Sequence, residues 1–461
     1  MPAAGIRQNN LNKFAMFAGD ILLILLATQV ASWVRFGTSY SIFTTNTGAS
    51  FFTMLLYMTM LYIFDLYNRN HAAPSAKNAI RTAVAVGSAG IVLVILFYTL
   101  PHWEYGRGIF LIQIILVWCF VFGWRALFFF VFPTKPFKEE ILILGAGSSG
   151  KTLLRLLENT NSPYHAIGFL DDDPQKEGTV IASLPVIGNI DNLDQIAEAK
   201  GIKTAIFAIT HERSKQLIRK ILNARLNGLV VLDMPSVFED LTGAVPVEHI
   251  RDDWLVFADG FNLISKQYVQ RTKRLFDVVI SAFLLLVTSP VFAITALAIK
   301  LGSSGPVFFG QTRVGKGGKN FVLWKFRSMK KDAEKDGAVW AKKKDPRITA
   351  VGRVIRVLRI DELPQIFSVF RGDMSLIGPR PERPEFVQDL EIEIPYYGLR
   401  HSVRPGITGW AQVNYSYGAS VEDALRKLEF DIFYIKNMSL ILDAKIALKT
   451  IGVVFFGQGA R

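Results

Sequence analysis

The chain has 461 residues, half of them hydrophobic, with a mean hydropathy of +0.28 and a formal charge of +13. That length accommodates two or three domains, and that hydropathy points to a membrane protein. The single cysteine, Cys119, excludes an intrachain disulfide, and the six histidines (71, 102, 165, 211, 249 and 401) show no metal-ligand spacing.

Four apolar runs fill the first 132 residues: Phe14–Val34, Ser50–Tyr67, Ala79–Leu100 and Gly108–Phe132. Each approaches the roughly 20 residues a membrane-spanning helix needs. The first is too long for a cleavable signal peptide and lacks a small-residue cleavage site. Arg7, Lys13, Arg69, Lys77, Arg81, Lys135 and Lys138 flank one side, against Arg35 and Arg107 on the other. This asymmetry predicts a multi-pass bundle with both ends in the cytoplasm. Asp20 and Asp65 sit within or beside the runs, as a transport site or as buried hydrogen-bonding partners.

From Lys138 the pattern becomes that of a soluble α/β domain. Apolar strands are expected at Ile141–Leu144, Ala166–Leu170, Thr204–Ile209 and Leu229–Leu232, with helices between them. Such alternation predicts a parallel, Rossmann-like sheet. The loop Gly145-Ala-Gly147-Ser-Ser-Gly150-Lys151-Thr152 fits two templates. As GxGxxG, with Asp171-Asp172-Asp173 beyond it, it is a dinucleotide fingerprint; as GxxxxGK[ST] it is a phosphate loop with Lys151 on phosphates and Thr152 on magnesium. A domain that binds no ligand, one that binds an unidentified nucleotide through Gly145, Gly147, Gly150 and Lys151, and an ATPase or kinase all remain open here. A linker with Trp254, Phe257 and Phe261 follows.

Asp277 and Lys300 bracket 22 uncharged residues, long enough to span. Ser289-Pro290 lies near the middle, and basic residues flank both ends. Proline removes a backbone donor, so a helix broken at Ser289-Pro290 that re-enters the same membrane face is expected. The final apolar stretch Ser439–Phe456, interrupted by Asp443, Lys445 and Lys449, reads as an interfacial helix or a core helix.

Residues 271–360 carry 19 Lys/Arg against 5 Asp/Glu, an excess of 14 that matches the charge of the whole chain. Such a patch suits lipid headgroups, phosphates or nucleic acid. No nucleic-acid-binding module is recognisable in it. Within and beyond it lie Gln311-Thr-Arg313-Val-Gly315, Lys325-Phe-Arg327-Ser-Met329, Asp345-Pro-Arg347, Arg356, Asp361-Glu362-Leu-Pro364-Gln365, Gly378-Pro-Arg380-Pro-Glu382 and Arg404-Pro-Gly406-Ile-Thr-Gly409-Trp410. Arginine forks match phosphate oxygens. Pro364 suits a first helical turn, which puts the acidic pair at a helix N-terminus. Adjacent side chains on a helix do not face each other, so the two carboxylates have separate jobs.

These motifs, in this order, resemble the bacterial polyprenyl-phosphate hexose-1-phosphate transferases, the large monotopic phosphoglycosyl transferases that start exopolysaccharide or O-antigen synthesis. The resemblance implies three parts: a four-helix transmembrane bundle (1–137), a Rossmann-like α/β domain (138–250) and, after a linker (251–272), a mixed α/β catalytic domain (273–461). Its re-entrant helix would cover 275–300. The implied reaction moves glucose- or galactose-1-phosphate from a UDP-sugar to undecaprenyl phosphate at the cytoplasmic membrane face, releasing UMP. Asp361 is implied as nucleophile and Glu362 as the magnesium ligand. Arg356 and Arg380 are implied to bind phosphate, with Lys325 and Arg327 in a basic site beside them. A homodimer and contact with membrane lipids are also implied.

Overall fold

The computed structural model describes residues 4–39, 41–45, 47–64, 66–67, 75–99, 107–131, 138–160, 162–210, 215–257, 260–261, 267–330, 347–415, 418 and 420–455. The chain divides into two compact units, Met1–Glu140 with Asn161–His165, and Ile141–Thr160 with Ala166–Arg461.

Helices form at all four apolar runs of the first unit: α1 (Ala4–Phe36), α2 (Thr47–Ile63), α3 (Ala76–Thr99) and α4 (Arg107–Val131). Segments of α1, α3 and α4 are long and apolar enough to cross a membrane; α2, with 17 residues, is shorter. The 17 residues of α2 lie at the lower end of the roughly 17–25 that a spanning helix uses. α1 and α4 meet closely because Gly19 lacks a side chain: a Cβ there would lie 2.3 Å from the Trp124 ring. At the next residue of each helix, Arg125 donates from Nη1 and Nη2 to the two oxygens of Asp20, both at 2.9 Å, and both residues are fully buried. A buried charge in an apolar bundle is costly unless paired, and this bidentate pair makes Asp20 an element of helix packing rather than a transport site. Asp65 lies outside the described residues.

The second unit opens with a six-stranded sheet: β1 (Glu139–Leu144), β2 (Tyr164–Leu170), β3 (Val180–Ile181), β4 (Leu184–Gly188), β5 (Thr204–Phe207) and β6 (Val230–Asp233). The strand order is β3-β4-β2-β1-β5-β6, parallel except for the β3–β4 pair. Helices α5 (Ser148–Asn159), α6 (Leu193–Lys200), α7 (Lys215–Leu226) and α8 (Met234–Thr242) connect and flank the strands. Buried Leu142, Leu144, Ala205 and Phe207 centre the core, as continuous apolar strands of a parallel sheet should. The β3–β4 hairpin escaped the sequence reading because Pro185 interrupts a two-against-five-residue pairing.

The rest of this unit comprises α9 (Gln267–Gly302), the antiparallel hairpin β7 (Phe308–Val314) and β8 (Asn320–Phe326), α10 (Ala350–Val357), α11 (Gln365–Arg371), β9 (Ser375–Ile377), α12 (Pro384–Glu393), β10 (Gly406–Thr408), α13 (Val421–Lys436) and α14 (Leu440–Phe455). It shares one compact unit with the parallel sheet because side chains bridge the two. Glu239 on α8 accepts from Lys436 Nζ at 2.5 Å and from Asn437 at 2.8 Å, and Trp410 donates to the Gly243 carbonyl at 2.7 Å.

The expected break at Ser289-Pro290 is not an interruption: α9 is a single helix of 36 residues with Pro290 inside it. Pro290 cannot donate to the Leu286 carbonyl, and the Ser289 hydroxyl does so instead at 2.7 Å. Both flanks of the helix pack on the same domain. On the N-terminal side, Arg274 donates to the Val369 carbonyl at 2.6 Å, and buried Asp277 accepts the Leu376 backbone N–H at 3.0 Å. On the other side, Phe292 stacks near Phe326 and Phe367, with centroids 5.1 and 5.7 Å away, and Ile299 is buried against Phe326 and Ile355. Leu286, Val287, Ser289 and Pro290, between the flanks, are exposed.

α14 is a core helix along one face. The charges that interrupt its sequence are engaged inside the domain: Asp443 pairs with Lys273 at 2.5 Å, while Lys445 and Lys449 lie 5.2 and 5.1 Å over the Trp410 ring.

Candidate active site

α10 starts at Thr349, whose hydroxyl caps the Gly352 N–H at 2.9 Å, and ends before Arg359. Arg359 has φ +56°, a left-handed conformation in which the Cβ crowds the following carbonyl oxygen, costing a non-glycine residue about 1–2 kcal/mol. Strain of this kind collects at functional turns. It reverses the chain into a 3-10 turn, Ile360–Glu362, that carries both carboxylates; Pro364 then caps α11. The acidic pair therefore sits on a turn just ahead of a helix, not within its first turn.

The two carboxylates occupy different surroundings. Glu362 Oε1 lies 2.8 Å from Arg380 Nη2, 3.6 Å from Lys325 Nζ and 3.9 Å from Arg359 Nη1. Burial alone would raise its pKa, but Arg380 and Lys325 outweigh burial and hold the carboxyl well below the usual range. The Asp361 carboxylate makes no hydrogen bond or ion pair among the described residues. Burial, and then the neighbouring Glu362 charge, raise its pKa, against the pull of Lys325, Arg356 and Arg359. Lys325 shares its carboxylates with other cations: burial lowers its pKa first, Glu362 and to a lesser degree Asp361 only partly restore it, and Arg380 and Arg313 lower it further. Neighbouring acids with divergent environments are the pattern of a site that divides its chemistry between them.

The basic residues divide as well. Arg356, half-buried on α10, and Arg380 face the acidic turn. Arg327 does not: it is buried, and its guanidinium donates to the Ser303 carbonyl (3.0 Å), the Ser303 hydroxyl (2.8 Å) and the Ser304 carbonyl (2.8 Å), just past the end of α9. Cations at helix ends satisfy orphan carbonyls in this way. Arg327 therefore fastens α9 to β8, and a phosphate ligand in this geometry would have to displace those bonds.

Arg380 projects from a turn fixed through its acceptors. Pro379 and Pro381 have no N–H, so hydrogen bonds can hold them only by their carbonyls. Four successive carbonyls are each taken: Pro379 by the Gly406 N–H (2.9 Å), Arg380 by Arg400 Nη2 (2.9 Å), Pro381 by Arg313 Nη1 (2.9 Å) and Glu382 by the Val314 N–H (3.0 Å). Arg400 is itself buried against Asp431 at 2.9 Å. Neither Arg400 nor Asp431 emerged from the sequence reading. The available signal was an acid, Asp431, among the apolar residues Leu428, Ile432 and Ile435 that the helix buries.

The glycine loop follows β1 and opens α5. Gly145 has φ +104°, and a Cβ on Gly150 would lie 2.1 Å from the Gly145 carbonyl oxygen, so both positions need glycine. Asp171, the acid beyond it, accepts the Ala146 N–H at 2.7 Å and Lys176 Nζ at 3.1 Å. Gly147 caps α5 and Lys151 is exposed, while Thr152 meets His249 Nε2 at 3.2 Å. His249 Nδ1 in turn meets Ser149, which also bonds Thr210 at 2.7 Å. Thr152 is thus engaged by His249 within the domain.

Residues 268–457 match the bacterial sugar transferase family, and residues 62–232 match a family described as a CoA-binding domain. The chain is 47% identical over 243 residues to the UDP-N-acetylgalactosamine-undecaprenyl-phosphate N-acetylgalactosaminephosphotransferase of Aeromonas hydrophila, covering 53% of this chain and 56% of that protein. It is 35% identical to the undecaprenyl-phosphate glucose phosphotransferase of Komagataeibacter xylinus, over 71% of this chain and 61% of the relative. It is 34% identical to the UDP-glucose:undecaprenyl-phosphate glucose-1-phosphate transferase of Escherichia coli (strain K12), over 70% of this chain and 69% of the relative. The chain thus spans between about half and just over two thirds of the length of these relatives. With its acidic turn, its proline-flanked arginine and its apolar helix α9 all inside the matched residues, the chain belongs to the bacterial sugar transferase family.

Proposed function

We propose that the chain transfers a hexose-1-phosphate from a UDP-sugar to undecaprenyl phosphate, the first membrane step of exopolysaccharide or O-antigen synthesis. The observation that carries this is the division of the acidic turn: Glu362 is pinned by Arg380 and Lys325 while Asp361 is left unbonded among cations. In the first step an Asp361 oxygen forms a bond to the sugar-linked phosphorus, and the bond to the UMP oxygen breaks, UMP leaving with that electron pair. In the second, an oxygen of undecaprenyl phosphate attacks the same phosphorus, the aspartyl bond breaks and the carboxylate is restored. Arg380 and Arg356 would hold the phosphates. Among the sugars, glucose and N-acetylgalactosamine are those named for the relatives, and galactose rests on the sequence resemblance alone.

Magnesium suits this site. Among the described residues no group of three acidic, imidazole or thiol side chains converges, and magnesium takes one or two carboxylates together with substrate phosphates. Glu362, held ionised, would supply that carboxylate, and the ion would offset charge on the pyrophosphate. The re-entrant reading of α9 is supported by the packing of both its flanks on one domain, and it would set the acidic turn at headgroup depth on the cytoplasmic side. The ATPase reading is not favoured, since Thr152 is engaged by His249; nor is a nucleotide assigned to the glycine loop, whose Asp171 is engaged by Lys176.

The test is UMP release from a panel of UDP-sugars, with magnesium, with and without undecaprenyl phosphate. Release that depends on the lipid and selects one sugar is expected; no release from any donor would remove the reading. The pH profile follows from the shifts. Because the Asp361 pKa is raised, activity should fall on acidification at a pH above that of an ordinary aspartate. Because the Lys325 pKa is lowered, activity should also fall on the alkaline side below the usual lysine range. Lys325→Arg should move the alkaline limb upward and leave the acid limb in place, and an unmoved alkaline limb would exclude Lys325 as its origin.

A further inference from the structure

We infer that Arg400, neutralised by Asp431, is a positioning residue that aims Arg380 at the acidic turn by holding the Arg380 carbonyl. The inference rests on the proposed reaction for its kinetic meaning, though not for its structural test.

A basic residue in this part of the chain reads first as one more phosphate ligand, and the structure excludes that for Arg400. It is 6% exposed, and every contact it makes is internal: Nη2 to the Arg380 carbonyl (2.9 Å), Nη2 to Asp431 Oδ2 (2.9 Å) and Nη1 to the Tyr397 hydroxyl, with the guanidinium 5.0 Å over the Tyr397 ring. Asp431, 1% exposed, is equally withdrawn from solvent. Burying an ion pair is rarely a net gain in stability, and replacing such a pair with apolar residues is often neutral or stabilising. Its presence here is better explained by the bond it makes on its outer side. Nη2 donates at once to the counter-ion and to the backbone of the residue whose side chain meets Glu362 at 2.8 Å.

The chemistry of the turn makes that bond consequential. Prolines on both sides of Arg380 leave the turn with few donors of its own, so its orientation depends on the donors supplied to its carbonyls. Two of the four are backbone N–H groups from Gly406 and Val314, fixed by the fold. The others are side chains, Arg313 and Arg400. Arg313 is shared among several groups, lying also against Gln311 at 3.0 Å and Glu382 at 3.4 Å. Arg400 alone combines full burial, a counter-ion and a bond to the arginine itself. A lysine there has no planar fork and cannot serve Tyr397, Asp431 and the carbonyl together.

The experiment uses the full chain with two readouts. The first is amide hydrogen exchange over the segment 374–383, which needs no substrate. Arg400→Lys should speed exchange there about tenfold or more, with exchange in α1 to α4 unchanged. The second is a double-mutant cycle on UMP release with Arg380→Lys. Arg400→Lys alone should lower kcat/KM on the order of a hundredfold, the scale of a displaced positioning group. In the Arg380→Lys background the same change should cost less than about threefold, because residues acting as a unit are not additive. Should Arg400→Lys fail to accumulate, Asp431→Asn, which removes the counter-ion and keeps all of Arg400, takes its place in both measurements. Unchanged exchange over the turn, or full additivity with Arg380→Lys, overturns the inference. A wild-type chain that releases no UMP would remove the proposed reaction, while the exchange result would still decide whether Arg400 holds the turn.

Discussion

Replacing Asp361 with asparagine should lower lipid-dependent UMP release by at least about a thousandfold, the scale of losing a nucleophile, without lowering thermal stability. The two halves of that expectation come from one observation. Burial and the adjacent Glu362 raise the Asp361 pKa, so at neutral pH its charged form is less favourable in the folded chain than in the unfolded one. Removing the charge should therefore leave the melting temperature unchanged or raise it. Glu362→Gln gives the contrast. Its pKa is lowered by Arg380 and Lys325, so its charge stabilises the fold at neutral pH, and the loss leaves three cations without their shared partner. That variant should lose stability as well as activity. The measurements are UMP release and thermal melting of both variants, together with mass spectrometry for a phosphosugar on the peptide containing residue 361. Substantial residual transfer by Asp361→Asn, or the adduct on another residue, would remove Asp361 as the nucleophile.

Much of the parallel sheet was legible, for a physical reason. β1, β2 and β5 are apolar runs largely buried in the sheet, β6 is an apolar run at its edge, and such runs announce themselves in composition without knowledge of their neighbours. The glycine loop was legible too, because Gly145 at positive φ and Gly150 against the Gly145 carbonyl are backbone demands that only glycine meets. The acidic turn was found from its sequence surroundings. What the sequence could not show was which cations remain available to a substrate. Arg313, Arg327, Arg356, Arg380 and Arg400 are chemically identical in a string of letters. Only the fold reveals that Arg327 is bonded to the carbonyls after α9 and Arg400 to the carbonyl of Arg380, while Arg380 meets the acidic turn. The continuity of α9 was hidden in the same way. Pro290 signals a missing donor, but the replacement offered by the Ser289 hydroxyl depends on a rotamer, which no pattern records.

Gly406→Ala should be strongly damaging to the catalytic domain, although it adds a single methyl group. β9 and β10 pair in parallel, Gly406 opposite Ser375 and Thr408 opposite Ile377, and the turn bearing Arg380 leaves directly from the end of β9. A Cβ on Gly406 would lie 2.1 Å from the Gly378 nitrogen, 2.5 Å from the Thr408 oxygen and 2.7 Å from the Gly378 Cα. All three are backbone atoms, so no flexible side chain can give way. Gly406 and its neighbours also supply the bonds that fix the turn: the Gly406 N–H to Pro379, and the Thr408 carbonyl to the Gly378 N–H. Separating the strands therefore strains the pair and frees the turn together. Overpacking costs about 1–3 kcal/mol in a deformable core and more where backbone must move. Loss of Arg380 placement adds a kinetic effect on the order of a hundredfold in UMP release. Gly317→Ala is the matched control: its φ of +67° carries the usual strain of a left-handed alanine, but a Cβ there meets nothing within 4 Å. It should lower the melting temperature slightly and leave the pH profile and sugar selectivity unchanged. Equal damage from the two substitutions would mean that the contact between the two strands does not set the requirement at Gly406.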